Sequence, residues 1–299
     1  MKKQSRYLTF IVLCIVCFVA IYILNQPTKV DNFSYFSDDK FQIIAHRGGL
    51  GLKPENTMLA FRNADSLNVD VLEMDVRRSK DGKLIVIHDE TVDRTTNGTG
   101  PVNKKTVNQL QMLDAGFHWQ NNQGDFSYRN KGVRIPLLSE ILEQFGHRRL
   151  LIEIKSNDEL TSTELCHTLQ SYGMEKNTVV GSFYNKSLNV FSEHCPNTPT
   201  SASSIEVATF LFFHYLRLES FYTNPPSAFQ VPEYLDNILL VDARFIKKIQ
   251  DMNSAVHVWT VNQPEKMQRL VDIGVNGIIT DYPDRLNELL KRKKEPKAL

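Results

Sequence analysis

Short runs of aliphatic and β-branched residues recur along the chain and alternate with longer amphipathic stretches. Apolar runs of this length, bounded by turn-forming residues, are typical of buried strands. They predict strands at 41–46, 71–76, 83–88, 150–155, 178–182, 256–261 and 277–280, with an eighth around 198–203 or 238–241. The amphipathic stretches predict helices at 56–66, 137–145, 159–172, 243–252 and 264–273.

Near-continuous apolar strands that alternate with helices indicate a parallel sheet covered by helices. Chemically versatile residues follow several of the runs, and in barrel enzymes such residues gather at the carboxyl ends of the strands. The pattern therefore favours an α/β fold, a (β/α)₈ TIM barrel, over the alternative of a doubly wound open sheet. The sequence has no Gly-x-Gly-x-x-Gly or Walker loop that would indicate a nucleotide site.

Two stretches depart from this alternation. Residues 90–136 form a small insertion after the third predicted strand, and we expect it to shape a substrate cleft at the barrel mouth. The second is the apolar run at 207–216, which is too short to span a membrane and is followed by aromatic and Pro-rich sequence to 232. This stretch is either a barrel helix packed on the core or a lipid-facing flap at the mouth.

The longest apolar run lies near the N-terminus. Residues 8–24 are apolar apart from Thr9. A run of this length is enough for a short transmembrane helix. A cleaved signal peptide is the alternative, but no small-x-small cleavage pattern follows the run. The length of the run therefore favours an uncleaved anchor. Basic residues before the run predict that the N-terminus lies in the cytoplasm and the rest of the chain is extracytoplasmic. The expected organisation is an anchor over 1–24, a tether over 25–40, a barrel over 41–290 and a basic tail over 291–299.

Composition narrows the possible partners. The chain has 299 residues and a formal net charge of +1, so it generates no overall field for binding nucleic acid. The basic run at 291–294 is interpreted as solvated, with attraction to anionic lipid as the alternative. Cys166 and Cys195 could pair in an oxidising compartment, although their spacing leaves the pairing open.

Two histidines stand out because each follows an apolar run. His46 ends the run that begins at 41, and His88 ends the run that begins at 83. An imidazole titrates near neutral pH, so one of the pair can accept a proton while the other donates one. The remaining histidines are interpreted as structural.

Carboxylates in two other strands predict a metal site. Glu73 and Asp75 alternate with Met74, so both point to the same side of one strand. Two carboxylates in a barrel interior require a shared proton or a bound cation. Glu153, near the end of another buried strand, supplies a third carboxylate. Any one of them alone would more often belong to a structural salt bridge, but the set suits Mg²⁺ or Ca²⁺ rather than zinc.

Four further residues are candidates for binding the substrate. Arg47 and Lys155 suit phosphate oxygens, although either could instead only neutralise the carboxylates. Glu55 precedes a helix start, where a capping role and a role in the site can coexist. Trp259 ends an apolar run and is either a pocket wall or a core residue. This inventory predicts a site that cleaves an anionic phosphodiester.

Several motifs resemble, in order, those of the glycerophosphodiester phosphodiesterase family. They include His-Arg-Gly-Gly at 46–49, Glu-Met-Asp at 73–75, Val-Ile-His-Asp at 86–89, the block 93–100, Glu-Ile-Lys at 153–155, Trp-Thr-Val-Asn at 259–262 and the block 278–283. The resemblance covers about residues 41–290, and 178–240 contains no matching motif. It implies a TIM barrel with a small insertion, in which His46 and His88 are the acid–base pair. It also implies a metal held by Glu73, Asp75 and Glu153, and phosphate contacts from Arg47 and Lys155.

The expected activity is metal-dependent hydrolysis of glycerophosphodiesters to glycerol 3-phosphate and a head-group alcohol. The chain is most similar to the membrane-bound, lysophospholipase D-like branch, which adds lysophospholipids as substrates and lysophosphatidic acid as a product. Membrane contact is expected through the N-terminal helix, with 207–232 as a second candidate. A sphingomyelinase D-like phospholipase is one alternative, disfavoured because the blocks at 93–100 and 259–262 match the phosphodiesterases better. A non-catalytic lipid-binding barrel is another, and it would ordinarily have lost a histidine or a carboxylate.

Overall fold

A computed structural model describes residue 7, residues 10–14, residue 16, residues 27–38 and residues 40–294. For residues 292–294 it describes the backbone only. Most of the predicted anchor at 1–24, and the end of the predicted tail at 295–299, lie outside these residues. Within the described part of the chain, no helix combines the length and the apolar character needed to cross a bilayer.

Parallel strands form the centre of the molecule. The strands are β1 (Gln42–Ala45), β2 (Val71–Arg78), β3 (Leu84–Val86), β4 (Arg149–Ile154), β5 (Thr178–Gly181), β6 (Ala228–Pro232), β7 (Tyr234–Leu235), β8 (Ile238–Leu239), β9 (Ala255–Trp259) and β10 (Gly277–Thr280). The parallel ladder has the order β5-β4-β2-β1-β10-β9-β6. Each predicted strand is present, and β6 is a strand that the sequence pattern did not reveal.

A short extended segment at 199–202 closes the ladder into a barrel. The Ser201 amide donates to the Val180 carbonyl oxygen of β5 at 2.9 Å, and the Ala202 amide donates to the Ala228 carbonyl oxygen of β6 at 2.8 Å. Both pairings are parallel. This segment, called the closing segment below, is the eighth barrel strand expected around 198–203. The alternative location at 238–241 instead contributes β8 to an antiparallel hairpin.

The third predicted strand is not a barrel strand. β3 pairs antiparallel with the end of β2, with Val86 opposite Val76 and Leu84 opposite Arg78. Since Ser79–Lys83 is too short for the crossover that joins parallel strands, the chain can only turn back on itself. The insertion therefore follows the second strand of the barrel, and it packs around a small core of its own, which includes Val92, Val102 and Leu110.

Helices cover the outside of the barrel, except for one that belongs to the insertion, and several begin at a residue that caps them. They are α1 (Met58–Ser66), α2 (Val107–Gln111), α3 (Leu138–Phe145), α4 (Glu159–Tyr172), α5 (Asn185–His194), α6 (Ser204–Tyr215), α7 (Ala243–Gln250), α8 (Pro264–Asp272) and α9 (Pro283–Lys294). Side chains of Thr57, Asp158, Ser203 and Asp242 accept hydrogen bonds from the first turns of α1, α4, α6 and α7. α9 includes the basic run, so 291–294 is helical rather than a tail.

The stretch at 207–232 has two different structures. Its first part belongs to α6, in which Phe210 is buried against Phe229 and Phe245. Its last part is β6, a barrel strand, so a flap cannot extend over 228–232. The helix of the barrel is therefore the better description, although Phe212 and Leu216 remain on its exposed side.

The predicted tether closes the bottom of the barrel, the end opposite the carboxyl ends of the strands. Tyr35 is 2% exposed and packs inside the barrel with Ile44, Val71 and Leu151. The Val30 amide donates to the Met252 carbonyl oxygen at 2.9 Å, just before β9 begins. Residues 30–36 are thus part of the folded domain rather than a free linker.

A disulfide joins two neighbouring helices on the outside of the barrel. Cys166 in α4 and Cys195 at the end of α5 are bonded and both are buried. The pairing that the sequence left open is therefore present.

Candidate active site

The predicted site residues gather at the mouth of the barrel, where the parallel strands end. Side chains alternate between the inside and the outside along each strand. His46 follows β1, Glu73 and Asp75 lie in β2, and Glu153 lies in β4. The pocket at this end is lined by both histidines, Arg47, Glu73, Glu153, Lys155 and Trp259, together with Leu151, Ser182, Phe183, Ser201, Ala202, Gln230, Thr260 and Ile279.

Each histidine is held by its own carboxylate. His46 Nδ1 lies 2.6 Å from Asp281 Oδ1, and His88 Nδ1 lies 2.6 Å from Asp89 Oδ1. With the Nδ1 proton engaged, Nε2 of each ring can exchange a proton with a substrate. His88 reaches the mouth on the returning strand β3, because the Ile87 amide donates to the Asp75 carbonyl oxygen at 3.0 Å.

The two imidazoles differ in their proton affinity. Burial alone would lower the pKa of His46, but the hydrogen bond to Asp281 and the charge of Glu73 outweigh it and raise that pKa. Burial dominates at His88 and lowers its pKa, in spite of the nearby Asp75 and Asp89 carboxylates. The site therefore holds two imidazoles with opposite tendencies, which is the property that an acid–base pair requires.

The three predicted metal ligands form one acidic cluster. Oxygen atoms of Glu73, Asp75 and Glu153 lie within 4.8 Å of one another. Glu73 and Asp75 are only 4% and 1% exposed. Asp75 accepts a hydrogen bond from the Asn56 amide group at 2.8 Å, which fixes its orientation. The cluster is thus a set of hard oxygen donors on two adjacent strands.

Positive charge only partly compensates this cluster. Lys155 Nζ lies 2.8 Å from Glu153 and 3.4 Å from Asp75. Among the described residues, no lysine or arginine forms an ion pair with Glu73, which instead accepts the Arg47 backbone amide at 2.5 Å. Burial and the neighbouring Asp75 raise the pKa of Glu73 to about 7. These properties fit a bound divalent cation, because a cation would stabilise the ionised form of Glu73.

Arg47 is anchored from several directions. Its guanidinium lies 2.9 Å from Glu55 and 3.3 Å from Asp75, and its side chain faces the pocket. Its backbone is left-handed, with φ of 51°. Gly48 follows with φ of 79°, and a Cβ there would lie 2.8 Å from the Ala60 side chain. The His-Arg-Gly-Gly motif therefore forms a tight turn that positions both the Arg47 guanidinium and its backbone amide.

Glu55 lies beside the pocket rather than in its wall. Its carboxylate accepts hydrogen bonds from Arg47 at 2.9 Å and from Arg94 at 2.7 Å. Arg94 in turn contacts Asp89, the partner of His88. Glu55 thus holds two arginines at the mouth, and a direct contact with substrate phosphate stays a prediction.

Several residues in or beside the pocket were not identified from the sequence. Asp281 appears there only within a motif, without a role, yet it follows β10 as directly as His46 follows β1. Its other oxygen accepts the Asn262 amide group at 2.7 Å. Phe183 and Gln230 lie in the stretch where no motif was recognised. A polar or aromatic residue directly after a strand was the available signal for Asp281 and Phe183.

Comparison with known proteins agrees with this geometry. The model of the glycerophosphoryl diester phosphodiesterase family matches residues 46–285. A glycerophosphodiester phosphodiesterase of Bacillus subtilis is 31% identical, covering 97% of this chain and 99% of the relative. A human lysophospholipase D is 26% identical, covering 83% of this chain and 85% of the relative.

Solved structures show the same fold. An Oleispira antarctica phosphodiesterase, in complex with the product sn-glycerol-3-phosphate, superimposes with a TM-score of 0.69 at 24% identity. The match covers 84% of this chain and 96% of that one. With the family model spanning most of the barrel and a relative above 30% identity along nearly the whole chain, the protein belongs to the glycerophosphoryl diester phosphodiesterase family.

Proposed function

We propose that the enzyme hydrolyses glycerophosphodiesters by acid–base catalysis between His46 and His88, assisted by a divalent cation. The observation that carries the proposal is that both imidazoles, each fixed by a carboxylate, face the same pocket as the acidic cluster. One imidazole removes a proton from the nucleophile, and the other donates a proton to the departing alcohol.

The bonds that change are those of the phosphodiester. A nucleophilic oxygen, from water or from the glycerol 2-hydroxyl, forms a new bond to phosphorus while the bond to the head-group oxygen breaks. Attack by the 2-hydroxyl gives a cyclic phosphate that water then opens, with the two histidines exchanging roles. The products are glycerol 3-phosphate and the head-group alcohol.

Glu73, Asp75 and Glu153 would hold the cation, either Mg²⁺ or Ca²⁺. A bound divalent cation supplies Lewis-acid stabilisation of negative charge on the phosphate oxygens. Arg47 and Lys155 would bind and orient the same oxygens. Their pKa values are raised, because burial alone would lower them but the charges of the neighbouring carboxylates outweigh it, so both remain protonated.

We also propose that lysophospholipids are substrates. Part of the pocket lining is apolar, and it includes Leu151, Phe183, Trp259 and Ile279. The likeness to a human lysophospholipase D supports the same substrate class. On such a lipid, the enzyme would release lysophosphatidic acid instead of glycerol 3-phosphate.

The test is mass spectrometry of products from a panel of glycerophosphodiesters and lysophospholipids. Each is incubated after treatment with EDTA, and then with added Mg²⁺ or Ca²⁺. Hydrolysis that is lost with EDTA and restored by one ion supports the cation proposal. Full activity in EDTA would contradict it, and cleavage of glycerophosphocholine but of no lysophospholipid would overturn the lipid proposal alone.

For localisation, we propose a single-pass N-terminal anchor at 8–24 and an extracytoplasmic catalytic domain. The disulfide between Cys166 and Cys195 supports this, because such bonds persist in oxidising compartments. We expect the protein to pellet with the membranes after carbonate extraction, and its catalytic domain to be cleaved by protease added from outside. A protein that stays in the soluble fraction, with Cys166 reduced, would contradict both parts.

A further inference from the structure

The loops around the barrel mouth differ in polarity from one side to the other. On one side, the loops after β5, the closing segment and β6 present exposed apolar side chains, which we call the apolar half of the mouth. Phe183 and Tyr184 are 51% and 44% exposed, and Ile205 at the start of α6 is 57% exposed. The loops after β10, β1 and β2 form the polar half, with charged residues such as Arg94 and Asp89.

The most prominent part of the apolar half is a hairpin directly after β6. Its strands pair Tyr234 with Leu239 and Leu235 with Ile238. These four side chains are 41–60% exposed. Since adjacent residues of a strand point to opposite faces, both faces of this hairpin are partly exposed. The amides of Leu240 and Val241 both donate to the Glu233 carbonyl oxygen, which fixes the hairpin base at the barrel rim.

The apolar half is continuous with the catalytic pocket. Phe183 lines the pocket although half of its surface is exposed, and its ring meets Trp259 edge to face at 6.0 Å. Trp259 lies opposite Pro232, the last residue of β6 before the hairpin. An apolar path therefore runs from the reacting centre to the hairpin.

We propose that the apolar half of the mouth docks on a lipid–water interface, with the hairpin Tyr234–Leu239 inserted among acyl chains. A protein partner with a flat surface would cover only one face of the hairpin, whereas fluid acyl chains can surround both. Lys266 is compatible with a lipid surface: its side chain is 48% exposed and its ammonium lies 5.9 Å from the Tyr234 ring, although it also pairs with Glu233 at 3.6 Å. Aromatic rings beside lysines are typical of membrane interfaces, where the ammonium reaches the polar head groups.

The docking proposal rests on the proposed function, because docking would serve to deliver amphipathic phosphodiesters to the pocket. Binding to lipid does not itself require hydrolysis, so the two can be measured separately. The test uses the full-length protein held in lipid nanodiscs and mixed with vesicles of phosphatidylcholine and phosphatidylglycerol. Co-flotation of the nanodiscs with the vesicles reports docking through the domain.

The informative variant replaces two hairpin residues, Leu235→Asp together with Ile238→Asp. We expect its vesicle binding to fall at least tenfold, while hydrolysis of soluble glycerophosphocholine stays at the wild-type level and shows that the barrel is folded. The matched control is Met112→Asp in the insertion, where the side chain is 84% exposed, and it should bind vesicles as the wild type does.

Two results would overturn the docking proposal. One is a wild-type protein that does not float with the vesicles, including the case in which the hairpin instead joins two copies of the chain. The other is a double variant that binds vesicles as tightly as the wild type. Vesicle binding that persists in a protein without phosphodiesterase activity would leave docking supported and overturn the proposed function.

Discussion

The two halves of the barrel mouth are built on different physical principles. In the polar half, nearly every functional side chain is tied to another, as in the chain of contacts from Asp89 through Arg94 and Glu55 to Arg47. In the apolar half, the side chains of Phe183 and the hairpin are instead exposed. Bond-breaking chemistry requires groups that are already in place, whereas contact with a fluid surface requires only accessible apolar area.

The largest effects are expected from the histidines of the polar half. His46→Gln or His88→Gln removes a proton-transfer group, so kcat should fall by about 10²–10⁴-fold. The loss should be equal on glycerophosphocholine and on a lysophospholipid, because the same bond is broken in both. Steady-state kinetics on the two substrates measures this. Near-normal turnover in both variants would show that the pair is not catalytic.

A smaller effect is expected from the carboxylates that hold the histidines. Asp281→Asn keeps the shape of the side chain but removes the charge that raises the pKa of His46. We expect kcat to fall by about 10–100-fold, as for other residues that orient a functional imidazole. The acidic arm of the pH–rate profile should move if His46 titrates there, because its pKa would fall. A profile and a rate like those of the wild type would contradict the positioning role.

A change in the apolar half should separate the two substrate classes. Phe183→Ser removes a pocket wall that also faces the surface. KM for a lysophospholipid should rise by about tenfold, the effect of losing part of one apolar contact. The kcat on glycerophosphocholine should change little, with Met112→Asp as the matched surface control. An equal loss of activity on both substrates would show that Phe183 contributes to the bond-breaking step. The proposed difference between the two halves of the mouth would then be wrong.

The smallest effect on activity is expected from the disulfide. Cys166–Cys195 closes a loop with a sequence separation of 29 between α4 and α5, the helices that flank β5 on the outside of the barrel. Its removal by Cys166→Ser with Cys195→Ser should lower stability by about 3 kcal/mol through greater freedom of the unfolded chain. Thermal unfolding should show a lower midpoint while activity at room temperature is retained. An unchanged midpoint would contradict a stabilising role.

The sequence predicted those parts of the fold and the site that depend on residues close together in the chain. The run that ends at His46 and the runs that contain Glu73–Asp75 and Glu153 are strands, and alternation correctly placed Glu73 and Asp75 on the same side of β2. The motifs also led to the correct family. Local patterns suffice here because a buried parallel strand must be apolar along most of its length.

Features that depend on distant contacts were not predictable in the same way. The pairing of His46 with Asp281 joins residues 235 positions apart, and no local pattern encodes it. β6 was hidden because Gln230 and Pro232 interrupt its apolar run. The direction of β3 was deducible, since the turn before it is too short for a crossover, but the apolar run alone is the same for either direction.

The way the chain enters the barrel has a consequence for the source of the substrate. Only five residues separate the end of the apolar run at 24 from Val30, so this stretch can reach about 20 Å, less than the roughly 45 Å width expected for such a domain. With the run in a bilayer, as proposed, the barrel floor faces that bilayer and its mouth opens toward the opposite side. The enzyme would then collect lipid that has left its own membrane, or lipid presented by a second surface across the intervening space.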